Sequence, residues 1–151
     1  MASIRSILGF AFVYLASTSL FRIYPQTLSF KKNVSTELSP QELLAAHSVE
    51  RLLTLDKVYQ EPAYGRSQLA AEVGVTEAAL SRIVNIYFEK TVPNLLNGYR
   101  VEDAKRLLLE TKEDLAVISR ESGFNSLSTF NRYFKELEGV SPSTFRKEAK
   151  R

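Results

Sequence analysis

Two stretches of this chain carry side chains suited to reading base edges, and they match each other in register. Arg82 and Arg132 stand fifty residues apart, each preceded by a short polar residue, Ser81 and Asn131. A guanidinium can pair with both acceptors of a guanine edge, and a carboxamide with the acceptor and donor of adenine. Ala78 and Ser128 are small enough to let a helix sit deep in a groove. Leu127 offers an apolar contact for a thymine methyl. Asn85 extends the first set, Ser126 opens the second, and Lys135 is placed for a phosphate. This is recognition by hydrogen bonds, with no covalent step. Glu77 cuts against it, because a carboxylate beside phosphates is unfavourable unless it accepts from a cytosine amino group. The second set is therefore expected to make the stronger contact, or Glu77 to select sequence by exclusion.

Hydrophobic periodicity supplies the helices that must present these residues. Leu80, Ile83, Val84 and Tyr87 recur at the spacing of one apolar helix face, and Phe130, Tyr133, Phe134 and Leu137 repeat it. If those faces are buried, the base-reading residues point outward. A shorter helical pattern ending in glycine precedes each: Leu69, Ala70 and Val73 before Gly74, and Ile118, Ser119 and Ser122 before Gly123. Glycine suits the left-handed residue that ends a helix. Thr76, and Asn125 or Ser126, are suited to cap the helix that follows. Short helix, glycine turn, longer helix is the helix-turn-helix pattern. One such unit arises easily in a helical bundle; two in matching register do not.

The sequence thus predicts two helix-turn-helix units, over 66–89 and 115–138. A linker helix over 92–110 joins them, with Val101, Ala104, Leu107 and Leu108 as its buried stripe. The Asn97-Gly98 pair interrupts that pattern, and a close approach by backbone or partner would explain the glycine. Ser39-Pro40-Gln41-Glu42 reads as a capping box opening an earlier helix that runs to about Lys57. A last helix is expected over 142–149. No strand-like alternation occurs, so the fold class is all-α, with the main domain over 39–151.

Residues 1–36 differ from the rest. Their charged residues are Arg5, Arg22, Lys31 and Lys32, whereas the whole chain of 151 residues carries only +3. The remainder is therefore slightly acidic, and bulk charge does not argue for nucleic acid; individual placement must. Ser6–Phe21 is an uncharged, largely apolar run. Residues 1–24 are read as a single hydrophobic helix, long enough for one bilayer crossing, and 25–38 as a polar linker. The excess of cations after the run would place the C-terminal domain in the cytoplasm at the inner membrane. A cleavable signal peptide, or a helix packed on a cytoplasmic protein, are the alternatives.

QLAAEVGVTEAALSRIV, NGYRVEDAKRLLLET and ISRESGFNSLSTFNRYFKELEGVSPSTFR resemble the AraC/XylS family of bacterial regulators. The resemblance covers about residues 60–149, and the apolar run resembles the last transmembrane helix of membrane-bound members. It implies a seven-helix domain whose two recognition helices enter successive major grooves about 34 Å apart. Carried over by position, the base readers are Ala78, Ser81 and Arg82, then Leu127, Ser128, Asn131 and Arg132. Double-stranded DNA and RNA polymerase are the implied partners, with activation as the implied outcome. Two units in one chain make monomeric binding the default, and a membrane partner could supply a signal. Arg66 departs from the family, which more often has an apolar residue there, so it either disturbs the packing of the first short helix into its core or adds a phosphate contact at its start.

Other chemistry finds little support. The chain has no cysteine and one histidine, His47, so neither a thiolate site nor a histidine cluster can form. No phosphate-binding glycine loop or nucleophile-base constellation is present. No cofactor is expected, and an enzyme such as a recombinase fragment has no residues to support it. The rival to DNA reading is a membrane-tethered helical adaptor whose helix-turn-helix surfaces bind another protein. Arg146, Lys147, Lys150 and Arg151 form a basic tail that could add phosphate contacts.

Overall fold

A computed structural model describes residues 37–149. The hydrophobic helix expected over 1–24, most of the linker expected over 25–38, and the last two basic residues lie outside the described residues. Among the described residues, no helix is long and apolar enough to cross a membrane.

The described chain is helical and without strands: α1 (Pro40–Thr54), a 3-10 turn (Val58–Gln60), α2 (Arg66–Val73), α3 (Glu77–Tyr87), α4 (Val92–Glu110), α5 (Leu115–Glu121), α6 (Leu127–Glu138) and α7 (Pro142–Glu148). Hydroxyl caps start most of them. Ser39, Thr76, Thr91, Ser126 and Ser141 each accept a hydrogen bond from the backbone N–H three residues on, which satisfies a donor the helix itself cannot. Ser39 and Glu42 form the full reciprocal box.

Two helices stop earlier than periodicity suggests. The first ends at Thr54 and not Lys57, and α3 ends at Tyr87 and not Glu89. Lys57 (φ 49°) and Glu89 (φ 54°) adopt left-handed backbone, which no helix can continue through.

Two cores flank α4, and α4 belongs to both. Its first half sends Val92, Leu95 and Leu96 into a cluster with Val49, Leu53, Tyr59, Leu69, Leu80 and Val84. Its second half sends Val101, Ala104, Leu107 and Leu108 against Ile118, Phe124, Phe130 and Phe134. The expected stripe of α4 is thus buried as read. A smaller cluster of Ala45, Ala46 and Ile83 seals α1 against α3. Burying each large aliphatic or aromatic side chain contributes about 1.5–3 kcal/mol, so each half has its own apolar driving force and α4 couples them.

Candidate nucleic-acid interface

The duplication seen in sequence reappears in hydrogen-bond geometry. At the end of α2, the N–H of Gly74 donates to the Ala71 carbonyl and that of Val75 to the Ala70 carbonyl. At the end of α5, Gly123 donates to Arg120 and Phe124 to Ser119. Both are the same paired closure around a left-handed glycine, φ 77° and φ 90°. Thr76 then caps α3, whereas Ser126, not Asn125, caps α6. The second turn is longer by the one residue that separates those caps.

Each cap aims an amphipathic helix. On α3, Leu80, Ile83 and Val84 are fully buried; on α6, Phe130 and Phe134 are. The fourth position of each stripe departs from expectation. Tyr87 is 38% and Leu137 53% exposed, because the last turn of each helix runs past the edge of its core. Tyr87 instead meets His47 edge-on, with ring centroids 5.8 Å apart. His47 is thereby an exposed residue packed on Tyr87.

The opposite faces carry the residues singled out above. Leu127, Ser128, Asn131, Arg132 and Lys135 are all exposed along α6. The Arg132 guanidinium lies over the Tyr133 ring at 4.3 Å, a cation–π contact that limits its freedom while leaving its donors available. The Ser126 hydroxyl accepts from the Thr129 N–H at 3.2 Å and lies 3.1 Å from the Ser128 hydroxyl, so the start of this helix is tightly organised.

On α3, Ala78 and Asn85 are exposed and Ser81 half-buried. The Ser81 hydroxyl donates to the Glu77 carbonyl at 2.8 Å. Arg82 does not stand out from the face. Its guanidinium forms an ion pair with Glu42 of α1 and donates to the Glu37 carbonyl at 3.1 Å. The two oddities of the first unit also resolve each other. Arg66, at the start of α2, pairs with Glu77, at the start of α3, at 2.7 Å. The carboxylate that seemed ill-placed beside phosphates is neutralised by the cation that seemed ill-placed in a core.

Sequence reasoning missed the device that fixes α4 to the loop before the first unit. Arg100 of α4 is buried, and it donates through Nε to the Tyr59 carbonyl at 2.8 Å and through Nη2 to the Tyr64 and Glu61 carbonyls at 2.9 and 3.3 Å. Asn97 accepts from its Nη1 at 3.1 Å. Burial lowers the guanidinium's pKa from its ordinary value, yet its donors are met by carbonyl oxygens. Asp103 extends the joint by accepting from Gln60 at 2.7 Å and from Arg106 at 2.8 Å. At the far end, Lys105 of α4 bridges to Glu138 of α6 at 3.0 Å. Of the two explanations for Gly98, approach by the chain's own backbone is not met among the described residues, since a Cβ there would meet open space.

The helix-turn-helix domain family profile matches residues 69–148, more than half of the chain. The chain belongs to the AraC-type helix-turn-helix family. Among curated relatives, it is 32% identical over 105 residues to the uncharacterized HTH-type transcriptional regulator YobQ of Bacillus subtilis, covering 67% of this chain and 37% of that protein. It is 30% identical over 106 residues to the transcriptional activator NphR of a Rhodococcus species, covering 68% of this chain and 31% of that one. The chain thus spans about a third of the length of these relatives. Among solved structures, the C-terminal domain of AraT, a response regulator from Geobacillus stearothermophilus, aligns with TM-score 0.61 at 26% identity, covering 74% of this chain and 88% of that one. The DNA-binding domain of AdpA, solved in complex with a target DNA, aligns with TM-score 0.58 at 22% identity, covering 74% and 93%; at that identity the likeness is one of fold.

Proposed function

We propose that the chain is a sequence-specific DNA-binding transcription regulator that reads two successive major grooves with α3 and α6. The observation that carries this reading is the repetition of glycine closure, hydroxyl cap and outward polar face in two units joined by α4. Within it, α6 supplies Leu127, Ser128, Asn131 and Arg132 to base edges, with Ser126 at the helix start and Lys135 on a phosphate. The first unit supplies Ala78, Ser81 and Asn85, while Arg82 of the same face is paired with Glu42 of α1. A single chain carries both readers, so binding is monomeric. NphR is named an activator, which favours activation through RNA polymerase for this chain.

Residues 1–24 are proposed to anchor this regulator in the inner membrane with the helical domain in the cytoplasm. Support comes from the uncharged run and the cations that follow it. Retention of the full-length chain in carbonate-washed membranes is the expected result, and its release into the soluble fraction would remove the anchor from the proposal.

The DNA reading is tested by selecting duplexes from a randomised pool with the full chain. A defined consensus, bound with a steep loss of affinity in salt, is expected. Arg132→Ala should then weaken binding to that consensus by about 1–3 kcal/mol and relax one position of it. An adaptor would enrich no sequence, and an unchanged preference in the variant would remove Arg132 from the reading face.

A further inference from the structure

The first unit differs from the second in one respect that bears on what it can read. Arg132 is exposed on α6, whereas its counterpart Arg82 is held by another helix. The Arg82 side chain is 28% exposed and the Glu42 side chain 27%. Glu42 is itself fixed on its other side, because its second carboxylate oxygen accepts from the Ser39 N–H at 2.9 Å. It also stands in the first turn of α1, where the helix dipole favours an anion. The Ser39 N–H, then Arg82, hold its carboxyl below the usual carboxylate range, so it stays charged. Built into a cap, Glu42 cannot follow the guanidinium outward. Arg82 must leave it to reach a base or a phosphate.

We infer that Glu42 is a specificity-determining residue of the first unit: by holding Arg82 against α1, it withholds an arginine from DNA and leaves α3 to read with Ala78, Ser81 and Asn85. This rests on the proposed DNA reading. Equivalent positions of the duplication then do unequal work. The second unit selects through a charged donor, and the first through small neutral residues that tolerate more than one base pair.

The test uses the full chain and its Glu42→Gln variant. Glutamine at this position keeps the capping box but loses the charge that pairs with Arg82, leaving unchanged the neutral Glu37 carbonyl that also accepts from it. Both proteins are used to select duplexes from a pool randomised over roughly 20 base pairs, enough for two turns, and the salt dependence of each is measured on its selected sequence. Glu42→Gln is expected to bind roughly tenfold tighter, the size of one good arginine contact. A new guanine in the first half-site would show that the released arginine reads a base; a steeper salt slope with no new base would show that it meets a phosphate. In a double-mutant cycle, Glu42→Gln/Arg82→Ala should bind no tighter than Arg82→Ala alone. Equal or weaker binding by a folded Glu42→Gln variant, or a gain that survives loss of Arg82, would overturn the inference while leaving the DNA reading intact. Failure of the parent chain to select any sequence would overturn both.

Discussion

Gly123 lies against the backbone of Tyr59: a Cβ at position 123 would stand 2.1 Å from the Tyr59 carbonyl oxygen and 2.9 Å from the Cα of Gln60. The turn of the second unit therefore touches the 3-10 turn that leads into the first. Gly123 also has φ 90°, so two independent constraints demand glycine there.

Substituting the two glycines associated with α4 and its joint should have opposite effects. Gly123→Ala adds a methyl where backbone already stands and strains a left-handed residue; it should cost about 2–4 kcal/mol. Gly98→Ala fills open space within a helix and should stabilise by about 0.5–1 kcal/mol. Urea denaturation of both variants measures this directly, and a destabilised Gly98→Ala would show that a methyl at position 98 is not accommodated in open space.

Arg100 makes a prediction about shape, not only charge. Its planar fork reaches the Tyr59, Glu61 and Tyr64 carbonyls together, a set that an ammonium on a flexible stem cannot span. Arg100→Lys keeps the charge and should still cost about 2–4 kcal/mol. A denaturation midpoint equal to the parent's would show that charge alone suffices.

The Arg66–Glu77 pair is exposed, so it should contribute less than about 1 kcal/mol to stability. Its expected effect is on binding. Arg66→Ala uncovers a carboxylate at the start of α3 and should weaken affinity for the selected duplex, most at low salt. Adding Glu77→Gln should restore it. Failure of the second substitution to rescue would make Arg66 a direct phosphate contact.

Stability should fall at both ends of the pH scale, for groups that can be named. Burial, then a hydrogen bond to Glu72, pushes the Tyr64 phenol well above its ordinary range. Burial likewise raises Tyr59 and Tyr99. A group that holds its proton more tightly when folded contributes fully below its unfolded pKa of about 10 and loses that contribution as pH rises through the folded value. Glu42 has the opposite sign: its contribution is full above about 4.3 and is lost as pH falls through its lowered value. Tyr64→Phe should flatten the alkaline limb and Glu42→Gln the acid one, both read as denaturation midpoints against pH.

Local signals carried most of the fold. Ser39, Thr76 and the glycines at 74 and 123 announce helix ends through hydrogen bonds made within a few residues, and α4 runs unbroken through Asn97-Gly98 as its flanking periodicity implied. Positions set by distant partners were not legible. Lys57 and Glu89 take left-handed backbone that their residue types do not favour. Arg100 lies on the buried stripe of α4, but its partners are carbonyls about forty residues away. Glu42 reads as a cap, and nothing local reveals that its other oxygen holds Arg82. The pairing of Arg66 with Glu77 is hidden for the same reason, since the two stand on different helices and meet only across the turn between them.

The buried joint around Arg100 has a kinetic consequence on the proposed reading. Because it locks α4 to the loop before α2, and Gly123 seats the second turn on that loop, neither recognition helix can drift when it detaches. A helix that lets go is kept beside its groove by the other, and rebinding becomes intramolecular, at an effective concentration of order millimolar or above. Two individually weak grips would then hold the duplex far longer than either could, without a second protein molecule.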